Sequence, residues 1–194
     1  LRLLRIPKNS EGLEMLQITI PANELWDERN EVFINVKETT LQLEHSLVSL
    51  SKWESKWNKP FLTNNNKTTD EILDYIRCMT ITQHVDPNVY MAFTSDNIKQ
   101  VTDYIALPMT ATTFSNIKNS APSREIITTE LIYYWMIAFN IPFECQKWHL
   151  NRLLTLIKVC NVKSQKPEKM SKSQLMSRNA ALNAARRKKL NTRG

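Results

Sequence analysis

Apolar and polar positions alternate over residues 16–20 (LQITI), and residues 32–36 (VFINV) are rich in β-branched side chains, so both segments predict strands. The two are expected to pair as a ribbon across the polar stretch ANELWDERNE. Residues 39–45 (TTLQLEH) alternate as well and place Leu41 and Leu43 on one face. From Ser46 the period lengthens: Leu47, Leu50, Trp53, Glu54 and Trp57 fall near helical spacing, and Pro60 is expected to end that helix. Trp53 and Trp57, four apart, share a face. Aromatics so spaced pack inward; the competing reading is a stacking or partner surface. After the loop NNNKTTD, Thr69 or Asp70 caps a helix through Met79, with Asp70 and Glu71 at the positive end of its dipole. Asp86-Pro87 opens a short turn or helix. Ser95 or Asp96 then caps a helix that Pro108 stops, and residues 109–123 read as an irregular polar connection.

The most apolar helix is expected to follow, with Ser123 as its N-cap. Residues 131–139 (LIYYWMIAF) are apolar nearly all round, which predicts a central core helix. Asn140-Ile141-Pro142 breaks it, and Pro142 suits the first turn of a next helix over 143–160. There Cys145, Trp148, Leu150, Leu153, Leu154, Leu156, Ile157 and Cys160 form a broad apolar face, so residues 124–160 are expected to make a helical hairpin. Lys166-Pro167 breaks the pattern. Residues 171–190 are dominated by good helix formers with a thin stripe of Leu175, Leu182 and Ala185. Such a helix is marginal alone and is ordered by a partner. The predicted fold class is therefore mainly α (α+β): a helical body over residues 15–160 with a small N-terminal β element, and a basic, partly helical tail over 161–194.

Charge sharpens that division. The chain of 194 residues carries a formal charge of +7, and its last 34 residues hold ten Lys/Arg against Glu168, a charge of +9. Residues 1–160 therefore carry −2, a mildly acidic body with a basic appendage. Hydrophobic content of 42% suffices for a core in a body of that size. No apolar run approaches the ~20 residues that span a membrane. Residues 1–14 precede Met15 and are interrupted too early by Pro7, Lys8 and Asn9 for a signal peptide. They are expected to be an upstream leader with Met15 as the natural start; the alternative is a short N-terminal arm.

Glycine is nearly missing: only Gly12 and Gly194 occur. Nothing between them can be a phosphate-cradling glycine loop, a dinucleotide fingerprint or a nucleophile elbow. Cys78, Cys145 and Cys160 are odd in number and lack CxxC spacing, which points to reduced thiols rather than a disulfide framework or zinc site. Cys145 and His149, four apart on one predicted helix, have the spacing of a Cys/His nucleophile pair. Neither an oxyanion donor nor a third orienting group accompanies them, so a buried small residue beside a packed histidine is favoured. Glu144 and His149 would need further ligands to hold a metal. Glu44-His45 falls at a strand end where the sequence brings it no partner, and His84 and Asp86 read as turn residues. No enzyme activity and no cofactor are expected.

The tail holds the candidate binding residues: Lys172, Leu175, Met176, Arg178, Leu182, Arg186, Arg187, Lys188, Lys189 and Leu190. As a protein contact it lays its leucines and methionine on a groove while charge sets orientation. As a nucleic-acid contact it gives salt-dependent phosphate binding without base stacking, since no aromatic interleaves it. The bland reading is a solvated terminus.

The run Ile132-Tyr-Tyr-Trp-Met-Ile-Ala-Phe-Asn-Ile-Pro-Phe-Glu-Cys-Gln-Lys-Trp-His-Leu-Asn-Arg-Leu-Leu-Thr-Leu-Ile157, with residues 43–57 (LEHSLVSLSKWESKW) and 181–187 (ALNAARR), resembles a family of small proteins of tailed bacteriophages and prophages. Within it the chain is similar to tail assembly chaperones of long-tailed phages, from Met15 to the C-terminus; residues 1–14 fit no family pattern. The resemblance implies a mostly helical, non-enzymatic virion-assembly factor that binds the tape-measure or tail-tube protein, in the bacterial host cytoplasm or within the virion. The alternatives are a nucleic-acid-binding packaging or regulatory protein of a phage, and a minor structural virion protein.

Overall fold

The computed structural model describes residues 15–28, 30–63, 66–114, 125–164 and 172–191. The expected leader, the Ser123 cap, most of the 109–123 connection and the Lys166-Pro167 break lie outside them. The fold is α+β and mainly helical, with a small antiparallel β element at its N-terminal end.

Strand β1 (Leu16–Ile20) turns Leu16, Ile18 and Ile20 inward and Gln17 and Thr19 outward, as its alternation requires. Its partner is not residues 32–36. It pairs antiparallel with β4 (Thr39–Leu43), in a register that sets Leu16 opposite Leu43 and Ile18 opposite Leu41. Four apolar side chains thus share one buried face. The expected ribbon fails because the polar stretch contains a strand of its own. Here β2 (Asn23–Asp27) pairs with β3 (Val32–Val36) as a separate hairpin. Asp27 closes it by accepting from the Asn30 backbone N–H at 3.3 Å and from its Nδ2 at 2.8 Å. Glu31 turns the chain with φ 51°. Outside β4, Ile81 donates its N–H to the Gln42 carbonyl and Glu44 donates to that of Met79, both at 2.8 Å, so β4 is flanked on both sides.

Helix α1 (Leu47–Trp57) starts from a reciprocal capping box between Ser46 and Ser49 and buries Leu47, Leu50 and Trp53. It ends at Asn58, which takes φ 52° and donates its N–H to Glu54, two residues before Pro60. In a chain nearly without glycine, asparagine fills this left-handed position and those at Asn140 and Asn191. Helix α2 (Thr69–Met79) is capped by Thr68, not by Thr69 or Asp70, and α3 (Ser95–Ala106) by Thr94, not by Ser95 or Asp96. The physical reason is the same in both. Each threonine has a partner at the third helical position, Glu71 or Asn97, whose side chain bonds back to the cap N–H. Between them, Asp86 caps a 3-10 turn over Pro87–Ala92, as the sequence predicts.

Helix α4 (Thr129–Ala138) is shorter than expected and is not surrounded by core: only Thr129, Ile132 and Met136 are buried. Residues after Pro142 do not form one helix. A 3-10 turn spans Phe143–Lys147, Trp148 is extended, and α5 (Leu150–Ser164) starts afresh. The break arises because Leu150 gives its N–H to the His45 carbonyl at 2.8 Å, a bond that a continuous helix would direct four residues back. His149 and Ser46 form a β-bridge at the same point. The core gathers β1, β4 and inward faces of α1 to α5 around Trp53, Tyr104, Leu41, Leu43, Ile132 and Met136. Two compact units divide the chain, Leu1–Cys160 and Asn161–Gly194. The second contains α6 (Lys172–Leu190).

Candidate functional site

All ten residues singled out in the tail lie on α6, and each is exposed. Leu175 and Leu182, seven apart, share one line along the helix. Met176 is about 100° around from Leu175, and Leu190 is about 80° from Leu182. The four apolar residues therefore do not form one stripe. Six cations and no acid are distributed around the circumference, with Arg187, Lys188 and Lys189 in the last turn, where the dipole favours them.

A second surface, on the body, was not legible as a site. Helix α4 uses one narrow seam, Thr129, Ile132 and Met136, to join the core. The opposite face carries Tyr134 and Ile137, 63% and 62% exposed; Ile126 before the helix and Phe143 after it are also exposed. Tyr133 packs beside Phe143 with ring centroids 6.4 Å apart. Glu130 stands one turn before Tyr134 on the same helix, and its carboxyl is held below its usual range by its own backbone N–H and the Thr128 hydroxyl. The signal available in sequence was the lack of a polar face.

Buried polar groups mount this face rigidly. Thr128 makes no side-chain cap bond, and the start of α4 is capped instead by Glu54 of α1. Glu54 Oε2 accepts from the Thr129 N–H and hydroxyl, both at 2.8 Å, and Oε1 accepts from the Phe61 N–H at 2.7 Å. A carboxylate at a helix N-terminus is favourably placed against the dipole. Beside it α1 and α2 are tied by Trp53 donating to the Glu71 carbonyl at 2.9 Å, Lys59 to the Glu71 carboxylate at 2.6 Å, and Trp57 to Asp74 at 2.9 Å. Lys56 also pairs with Asp74. Burial pushes the Asp74 carboxyl up, and its bonds from Lys56 and Trp57 more than reverse this. Glu71 is held low by Lys59 and by the Thr68 N–H. Trp53 is therefore core, with Trp57 stacked beside it at 6.1 Å.

The histidines do not sit as the spacing suggested. Cys145 lies buried in the 3-10 turn, and burial pushes its thiol up, away from the thiolate. His149 places Nε2 3.1 Å from the Tyr104 carbonyl, while Nδ1 accepts from the Asn151 N–H at 3.3 Å, which fixes the Nε2–H tautomer. His45, which the sequence left without a partner, is buried against it with ring centroids 5.0 Å apart. Its Nδ1 is 2.6 Å from the Tyr75 hydroxyl, and its backbone N–H donates to the Tyr104 hydroxyl at 3.3 Å. Tyr104 stacks edge-on against His149, again at 5.0 Å. Burial, then the neighbouring His149, holds His45 far below its ordinary 6.5, at about 3, so the ring is neutral. Tyr75 is pushed up by burial and stays a phenol. The cluster joins β4, α2, α3 and the start of α5.

Among the described residues no three metal-ligating side chains gather in one place, and no helix is long and apolar enough to cross a membrane. No protein-family model, no curated protein and no solved structure matches the chain.

Proposed function

We propose that this protein is a virion-assembly factor of a tailed bacteriophage that works by protein–protein contact, in the manner of a tail assembly chaperone. The observation that carries the reading is the α4 face. Tyr134 and Ile137 are both more than half exposed on a helix whose start Glu54 ties to α1. Neighbouring apolar side chains held so rigidly are characteristic of docking surfaces, and tyrosine is enriched where binding energy concentrates. In this mechanism α4 covers an apolar stripe on a helical client such as the tape-measure or tail-tube protein. The cations of α6 orient an acidic stretch of the same client. The protein acts without catalysis, in the host cytoplasm or within the virion.

Two changes test this. Deleting residues 165–194, just beyond the end of α5, leaves the body folded and weakens client binding. Tyr134→Ser with Ile137→Ser weakens binding further while leaving the unfolding midpoint in place. Wild-type affinity in both variants refutes the reading. A second reading, a nucleic-acid-binding packaging or regulatory protein, is favoured by the six acid-free cations of α6. It predicts DNA affinity that falls steeply with salt and is lost on replacing Arg186, Arg187, Lys188 and Lys189 by Ala. Absence of DNA binding at low salt removes it.

A further inference from the structure

The outward face of the β2–β3 hairpin carries two large aromatics. Alternation turns Leu25 and Ile34 toward the core, where they pack half-buried, and leaves Trp26 and Phe33 on the other face. The register sets these two directly opposite each other, with ring centroids 4.8 Å apart and planes tilted by 58°. Trp26 is 51% exposed and Phe33 65%. A cross-strand aromatic pair steadies a short hairpin, but that needs only the contact between the rings and leaves their outer surfaces in water. Glu24 and Asn35 form the next pair on the same face, both exposed. Both strands also contact the 3-10 turn over Pro87–Ala92, which holds the hairpin to the body. The hairpin is acidic: residues 23–36 hold Glu24, Asp27, Glu28 and Glu31 against Arg29, a charge of −3, where the whole of residues 1–160 carries −2.

We propose that this face docks an arginine-bearing segment of a protein partner, a guanidinium lying on the Trp26 and Phe33 rings with its N–H groups toward the Glu24 carboxylate. The rings supply the electron-rich faces that attract a cation, tryptophan most strongly. The charge of the hairpin sets the sign of the ligand. Its acids draw a cationic segment and repel phosphate, so the occupant is a basic protein segment and not a nucleic acid. Arginine fits better than lysine because its planar, weakly hydrated head group stacks on a ring while donating in its own plane to a carboxylate. The face lies on neither α4 nor α6, so this contact is independent of the docking proposed for them.

The test uses the full chain in about 0.15 M salt, where charge acting at a distance is screened. Acetylated hexa-arginine amide is the probe; NMR of the tryptophan indole N–H groups locates it, and fluorescence anisotropy of the labelled peptide gives its affinity. The expected result is a saturable shift of the Trp26 indole while that of the buried Trp53 stays in place. Hexa-lysine is expected to bind about tenfold more weakly, and hexa-glutamate to give no shift. Trp26→Leu with Phe33→Val should lower hexa-arginine affinity about tenfold, and Glu24→Gln about threefold. The proposal is overturned if hexa-arginine gives no saturable shift at Trp26. Equal affinity for hexa-lysine overturns it too, since charge alone would then explain the binding. So does wild-type affinity in the folded aromatic variant. Should that variant fail to fold, Glu24→Gln decides, because its exposed position leaves the hairpin intact: unchanged affinity there has the same consequence.

Discussion

Acidification should loosen this protein through His45 before its carboxylates matter. His45 is 2% exposed and faces Tyr75, Tyr104 and His149, none of which offers it a negative charge. Its folded value is about 3 against an ordinary 6.5. The unfolded chain therefore binds the proton more readily. Stability from the neutral ring is complete above about pH 6.5 and is lost as pH falls toward the folded value. Each pH unit in that window removes somewhat more than 1 kcal/mol, so about 2 kcal/mol is gone at pH 5. That figure is set by the unfolded value alone for any folded value well below 5. The lowered carboxyls of Glu71 and Asp74 lose their contribution only at lower pH, so the interval from 7 to 5 reports on the buried pair of His45 and His149. The assay is urea denaturation followed by tryptophan fluorescence at pH 7, 6 and 5, for wild type and His45→Gln. The variant is less stable at pH 7, and its stability should fall less than that of the wild type across the interval. Equal losses in the two proteins would refute the assignment.

Replacing Glu54 by Ala strands the Thr129 N–H and hydroxyl and the Phe61 N–H, and should cost about 3 kcal/mol in the same denaturation assay. Glu31→Gly relieves a left-handed residue in the β2–β3 turn and should stabilise by about 0.5 kcal/mol, read as a rise in unfolding midpoint. Ile132→Ala should cost about 3 kcal/mol, whereas Tyr134→Ser with Ile137→Ser should stay within about 1 kcal/mol of wild type, because the first empties the core and the second touches water.

What could be read ahead of the structure was whatever depended on local period and local capping. The alternation of LQITI and TTLQL gave the correct buried faces, and the spacing of Leu47, Leu50 and Trp53 gave the correct face of α1. Pairing was misread because a strand's partner depends on which inward face it matches, and Leu41 and Leu43 matched Ile18 and Leu16 better than any residue of β3. The break at Trp148 was invisible for a related reason. Residues 143–160 are locally helical, but His45, about a hundred residues earlier, takes the N–H of Leu150. The histidine cluster is likewise assembled from β4, α2, α3 and the start of α5, so the spacing of Cys145 and His149 was a false neighbourhood.

The weight of the two proposed docking elements can be compared by magnitude. An apolar helix has two apolar sides, and a periodic pattern cannot say which is covered. Ile132 and Met136 take one side of α4, leaving Tyr134 and Ile137 on the other. Covering the exposed three-fifths of these two side chains in a partner gives about 2–4 kcal/mol, a factor of at least about thirty in affinity. The cations of α6 are exposed on every side, and an exposed ion pair contributes about 0–1 kcal/mol in salt. Affinity should thus reside in α4, while α6 speeds encounter with an acidic client. Stopped-flow measurements with a purified client should therefore separate the two. Raising salt, or replacing Arg186, Arg187, Lys188 and Lys189 by Ala, lowers the association rate; Tyr134→Ser with Ile137→Ser raises the dissociation rate. If instead the tail variant alone accelerates dissociation, the tail makes the close contact and α4 is a bystander.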